Sequence, residues 1–295
     1  MKDSLGSADD RAAAPADTKR GDGGAGLRGH LKALHEEAAG FTEACASACV
    51  DRHGRNSYAW ISEAVTPPPG GSVLDLACGS GVLLELCRAR YEASVALTGL
   101  DVSAAELRLA HERLTDAEIT LHEGVAQSLD FAADDSFDAV LCHWALTLMD
   151  PLEPVLAEIA RVLRPGGVFS AIVDGPGEAA PGYVQVADLI ADHVRRASPE
   201  RAELGDPRAR DGAALAGLAR DSFPGADVAI ETEVFSIEGE PASLARLAAD
   251  FFYSAYTLAP PERALMLADL TAQFARMERP RYEMPVNRLR VALPR

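Results

Sequence analysis

Val73-Leu-Asp-Leu-Ala-Cys-Gly-Ser-Gly81 decides the fold. Val73-Leu-Asp-Leu76 reads as a buried strand and Gly79-Ser-Gly81 as a tight turn. The run from Val82 to Arg90 then has the apolar spacing of a helix. Glycines let the backbone turn sharply and approach a ligand with no Cβ in the way. The N-terminus of the following helix presents unpaired N–H groups. A strand, a glycine turn and a helix in that order predict the first unit of an open, ligand-binding α/β sheet.

Working outward, strands are predicted at 72–77, 95–100, 119–123, 139–142 and 168–173. Helical stretches fall between them at 81–90, 104–114 and 152–163, with a short turn at 128–131. Repeated β-α-β units with apolar, β-branched strands predict a mostly parallel sheet covered on both faces. Beyond it, a helix is expected at 183–197, a Pro/Arg/Asp-rich mobile surface segment at 198–211, and a strand at 227–237. Two helices, near 243–254 and 261–276, and a last strand near 287–293 complete the chain. Ahead of the sheet, one amphipathic helix is predicted over 27–50 and a shorter one over 57–65, ended by Pro67-Pro-Pro-Gly-Gly71. Residues 1–26 lack hydrophobic periodicity and read as a disordered leader.

Three residues narrow the ligand. Asp101 ends the second strand, twenty residues beyond Gly81, where a carboxylate meets the ribose of a nucleotide lying across the first two strands. Leu84 stands where a dinucleotide fingerprint requires glycine. Asp75, inside the strand, is badly placed for a pyrophosphate and well placed for an ammonium group. NAD and FAD are disfavoured on both counts.

These motifs resemble those of the class I S-adenosylmethionine (SAM)-dependent methyltransferases, of the small-molecule type. Val73 to Gly81 is similar to the family's first motif, and Leu97-Thr-Gly-Leu-Asp-Val-Ser103 to its second. Gly124-Val-Ala-Gln-Ser-Leu-Asp-Phe131, Phe137-Asp-Ala-Val-Leu-Cys-His143 and Glu158-Ile-Ala-Arg-Val-Leu-Arg-Pro-Gly-Gly-Val168 resemble the later ones in family order. The resemblance implies a Rossmann-like α/β fold with a seven-stranded, mostly parallel sheet and a helical lid at 27–70. It also implies a SAM-binding domain over 71–295, with an acceptor-site insertion around 175–225. SAM is the implied cofactor, held by Asp75, Ala77, Gly79, Ser80, Gly81, Asp101, Val102, Ala126, Gln127 and His143. Ala77 replaces the family's first glycine. Ala126 stands where many relatives carry an Asp, leaving the adenine amino group to backbone carbonyls or Gln127.

Methyl transfer is an in-line displacement that asks mainly for alignment and exclusion of water. His143, at the carboxyl edge of the fourth strand, reads as a general base or as a positioning group. Tyr58 could cover the sulfonium with its ring face. Asp174, just past strand five, points to the same edge, while Trp144, Phe251-Phe-Tyr253 and Tyr256 read as core or as substrate wall. Two further readings stay open: SAM consumed without methylation, by cyclisation or elimination, and SAM binding without catalysis.

Composition bounds the partners. The 295 residues hold 28 basic and 45 acidic side chains, a net charge of -17, against nucleic acid or an anionic membrane as main partner. A small molecule is the expected substrate, with a homodimer left open. No apolar run approaches a membrane span. Five cysteines without a signal peptide predict a reduced, cytoplasmic setting. No metal is expected, since His, Asp and Glu show no ligand spacing. The Ala/Arg/Asp-rich composition suggests a high-GC bacterium, in which many such enzymes tailor secondary metabolites.

Overall fold

The computed structural model describes residues 29, 32–91, 94–115, 118–197 and 205–295; the leader predicted at 1–26 lies outside them. Seven strands form one sheet in the order β3-β2-β1-β4-β5-β7-β6. They are β1 (Ser72–Leu76), β2 (Ala96–Asp101), β3 (Ile119–Glu123), β4 (Phe137–His143), β5 (Leu163–Asp174), β6 (Asp227–Glu238) and β7 (Arg281–Ala292). The first five run parallel, and β7 lies antiparallel between β5 and β6. The helices of the sheet are α4 (Val82–Tyr91), α5 (Ala104–Arg113), α6 (Glu153–Val162), α7 (Pro181–Ala197), α8 (Gly212–Ser222), α9 (Pro241–Phe251) and α10 (Pro260–Ala275).

Successive strand residues point to opposite faces, and the central strands bury both. Val73, Ala139, Leu141 and Ile172 join the core beneath α4, α7, α9 and α10. Leu74, Val140, Cys142 and Val173 join the core beneath α6 and α8. Burial on both sides is why these strands are continuous apolar runs. It also makes Asp75, 1% exposed on the central strand, chemically conspicuous.

Four expectations change. The helix predicted over 27–50 is broken in its described part: α1 (32–37) and α2 (Glu43–Ala48) are separated by a turn with Gly40 at φ +76°. Gly40 takes the left-handed conformation that ends the first piece, and Cys45, Ala46 and Cys49 carry the second into the core. The single turn expected at 128–131 is two: one at 126–127, closed by the Ser128 N–H on the Val125 carbonyl, and one at 130–131, closed by the Ala132 N–H on the Leu129 carbonyl. The last strand starts at Arg281, six residues early, and pairs with β6 along its whole length although Pro285 interrupts its donors. Within the segment read as mobile surface, residues 205–211 are built into the wall of the domain. Gly205, Asp206 and Ala209 are buried, a 3-10 turn spans Pro207–Arg210, and Asp206 caps it by accepting from the Arg208 N–H. The Arg208 guanidinium also bonds Asp206, so the charges that suggested exposure neutralise each other.

Candidate functional site

The carboxyl ends of β1, β2, β4 and β5 open into one cavity of about 980 Å³, at the edge where open α/β sheets bind ligands. That volume lies at the top of the range for a single small-molecule site. Asp75, Ala77, Gly79, Ser80, Asp101, Val102, Ala126, Gln127, His143 and Tyr58 all line it. Gly81 does not. It turns at φ +81°, and a Cβ there would press within 3.0 Å of Leu114 and 3.1 Å of Ala110, so this glycine lets α5 pack on the turn. Ala77 takes φ +60° with a Cβ attached, a strained conformation costing on the order of 1–3 kcal/mol. The small side chain explains why alanine can stand for glycine there.

Two acids face the cavity in opposite states of satisfaction. Asp101 accepts the Gly79 N–H at 2.8 Å and the Ser103 N–H at 2.9 Å, tying the glycine turn to the end of β2. Burial raises its carboxyl above the usual range, and these two bonds pull it back. Asp75 has no hydrogen-bond partner on either oxygen. Burial, and then the charge of Asp101, push it up to about 8. A buried carboxyl with nothing to bond is unstable as an anion and waits for a cation.

His143 lies at the end of β4, its Nε2 2.8 Å from Ser57 Oγ, with the hydroxyl donating when Nδ1 carries the ring proton. Its ring stacks on Tyr58 with centroids 3.8 Å apart. Ser57 and Tyr58 open α3 (Ser57–Ser62), whose N-terminus is capped by Asn56 accepting from the Ala59 N–H. Burial lowers the imidazole to about 3, so it is neutral throughout the physiological range. Next to it Trp144 holds φ +60°, an outlier for so bulky a residue.

Several cavity residues escaped the sequence reading. Glu43 of α2 accepts from Ser80 Oγ at 2.7 Å and from Arg113 at 2.8 Å, fastening α2 to the glycine turn. Glu106 Oε1 pairs with His35 Nδ1 at 2.7 Å and accepts the Gly40 N–H at 2.9 Å, and His35 Nε2 lies 3.0 Å from Tyr253 Oη. Glu106 had one local signal, the Ser103-x-x-Glu106 pattern of a capping box, with the Ser103 hydroxyl accepting from the Glu106 N–H. Glu43 and His35 had none. Asp174, at the end of β5, lies 3.4 Å from Arg210 and 3.5 Å from the Tyr183 hydroxyl, both on the same cavity wall.

The residues present fit SAM. The unpartnered Asp75 suits its ammonium, Asp101 its ribose hydroxyls, and Val102 with Ala126-Gln127 flanks the space for a base. A methyltransferase-domain model matches residues 73–167, the segment that builds this half of the cavity. Over this segment the chain is similar to the class I SAM-dependent methyltransferases.

Demethylmenaquinone methyltransferase of Symbiobacterium thermophilum is 37% identical to this chain over 105 residues, which cover 34% of the chain and 41% of that protein. The ubiquinone biosynthesis O-methyltransferase of Paracidovorax citrulli is 30% identical over 152 residues, covering 50% of the chain and 62% of that protein. The chain thus spans about half the length of the curated relatives it matches. Among solved structures, a Haemonchus contortus phosphoethanolamine N-methyltransferase in complex with phosphomonomethylethanolamine and S-adenosylhomocysteine shares the fold. Its TM-score is 0.56 at 16% identity, over 91% of this chain and 61% of that one.

Proposed function

We propose that the protein binds SAM and transfers its methyl group to a small-molecule acceptor held beside His143 and Trp144. The observation that carries this reading is Asp75: a buried, unpartnered carboxyl on the wall of a cavity of about 980 Å³, next to a glycine turn and a second acid. When bound, SAM supplies a methyl group on a sulfonium, open to in-line displacement. The chain's own residues bind, orient and exclude water. Asp75 meets the ammonium and Asp101 the ribose hydroxyls. The lid, fastened through Glu43 and Glu106, covers the glycine turn. Holding two reactants in line is worth roughly 7–11 kcal/mol, which lets an enzyme of this kind work without a strong base.

His143 fits positioning better than proton abstraction. An imidazole lowered to about 3 by burial has little affinity for a proton from a phenol or alcohol. His143→Asn is therefore expected to lower kcat about tenfold, the size of one lost hydrogen bond, and to leave the pH–rate profile between pH 6 and 9 unchanged in shape. A loss of several hundredfold together with a vanished ionisation would make it the base instead.

The matched quinone-pathway methyltransferases favour oxygenated small molecules. The secondary-metabolite reading rests on composition, and a cytoplasmic setting on five cysteines that are all free and buried. Among the described residues no helix is long and apolar enough to cross a membrane. The direct test is to incubate the protein with SAM and a panel of acceptors and to identify the products by mass spectrometry. S-adenosylhomocysteine supports methyl transfer. Methylthioadenosine above the spontaneous rate, or binding with no turnover on any acceptor, would replace it with cyclisation or elimination, or with a non-catalytic role.

A further inference from the structure

Beyond the residues that suit SAM, the cavity is walled by a chain of aromatic rings. The Trp144 indole meets the Phe251 ring edge-on at 5.0 Å. Phe251 meets Phe252 at 6.2 Å, and Phe252 stacks on Tyr183 at 5.6 Å with the planes 28° apart. All four rings line the cavity. The wall thus runs continuously from His143 to the Asp174 end. Along α7 the cavity-lining residues Tyr183, Ala187, Ala191 and Arg195 recur every fourth position, on one helix face. The two alanines leave space where longer side chains would fill it.

One polar group of these rings is closed off and has no partner. The Trp144 Nε1–H is buried and bonds nothing among the described residues. Its backbone is pinned on both sides: its N–H donates to the Ile172 carbonyl at 3.0 Å, and its carbonyl accepts from Thr147 Oγ1 at 3.3 Å. Buried indole N–H groups normally find an acceptor. This one is held in a strained backbone conformation (φ +60°) on a ligand-sized cavity, and strain of that kind clusters at working sites.

We propose that this half of the cavity is the acceptor subsite, built for a planar aromatic molecule bearing an oxygen substituent, and that Trp144 Nε1–H donates to that oxygen. The proposal rests on the methyltransferase reading above. Aromatic walls favour flat rings by offset and edge-to-face packing. The orphaned donor distinguishes an oxygenated ring from a plain hydrocarbon, because leaving the N–H unpaired under a bound ligand is unfavourable. Trp144 is therefore a specificity-determining residue of the acceptor site.

The chain has two tryptophans, Trp60 and Trp144, and Trp60 lies in the core with 2% exposure. The two indole N–H resonances of the wild-type protein thus give a direct reading with an internal control. With the protein saturated in S-adenosylhomocysteine, 2-naphthol is expected to shift the Trp144 indole proton downfield and leave that of Trp60 in place. Naphthalene should bind without that downfield shift. Trp144→Phe keeps the ring and removes the donor, so it should weaken 2-naphthol about three- to tenfold while changing naphthalene by less than twofold. Phe252→Leu should weaken both probes. An unmoved Trp144 resonance, no binding of 2-naphthol, equal losses for the two probes in Trp144→Phe, or equally tight binding of 1-decanol would overturn the proposal. Failure of S-adenosylhomocysteine to bind the wild-type protein would instead strike the methyltransferase reading, which separates the two.

Discussion

Asp75→Asn is expected to raise the melting temperature of the free protein at alkaline pH and, in the same variant, to weaken SAM binding tenfold or more. The stability half follows from proton linkage. In the folded chain Asp75 holds its proton to about 8, because burial and then the neighbouring Asp101 disfavour the anion; its ordinary value is 3.8. Between those two values the folded state binds more protons than the unfolded state. Unfolding free energy therefore falls as pH rises. The contribution is fully present below 3.8 and is lost by the time pH has passed about 8. An asparagine carries no such proton and gives no such slope. Its unpaired amide costs about 1–3 kcal/mol, but a buried, unpartnered carboxylate costs more. The variant should gain on wild type as pH rises, by a few kcal/mol at most near pH 9.

The binding half has the opposite sign. An ammonium beside Asp75 favours the ionised form, so SAM binding should expel a proton below pH 8. Wild-type affinity should then rise with pH from 6 to about 7.5, approaching tenfold per unit where the carboxyl is fully protonated beforehand. Calorimetry in two buffers of different ionisation enthalpy counts that proton. Asp75→Asn should show neither the slope nor the proton. If it keeps both, Asp75 is not the ammonium partner.

The contrast between Asp75 and Glu43 shows how far sequence alone carries. Asp75 was legible because it is an acid inside an apolar strand, badly placed for a pyrophosphate and well placed for an ammonium group. Strand β1, the turn and α4 were legible because their signals are contiguous. Glu43 breaks no pattern. Only the packing of α2 onto the glycine turn brings it to Ser80 and Arg113. Likewise 205–211 carries the composition of a loose surface, because sequence does not show that Arg208 turns back onto Asp206 while Gly205 and Ala209 pack inward. Trp144 stood out as a residue type next to His143, but its positive φ and its orphaned N–H are properties of the backbone path between β4 and the following turn.

Asp101→Ala is the second large effect, and it acts on two structures at once. The charged hydrogen bonds to a ribose are worth about 1.5–3 kcal/mol, or roughly ten- to hundredfold in SAM affinity. The same substitution also strands the Gly79 and Ser103 N–H groups that the carboxylate now holds at 2.8 and 2.9 Å. Loosening Gly79 disturbs the turn, so the free protein should melt at lower temperature as well. Asp101→Asn separates the contributions. Its one carbonyl oxygen can keep one of the two backbone bonds, so it should restore part of the stability while affinity stays low. Both substitutions also remove the charge that helps raise Asp75, so the pH dependence of SAM binding should move to lower pH in each. That displacement is the most specific readout, because a variant that was merely unfolded or loosened would not shift another residue's titration. Calorimetric affinities between pH 6 and 8 decide the matter. An Asp101→Ala protein that binds SAM as tightly as wild type, with an unmoved pH profile, would show that the end of β2 does not hold the ribose and does not couple to Asp75.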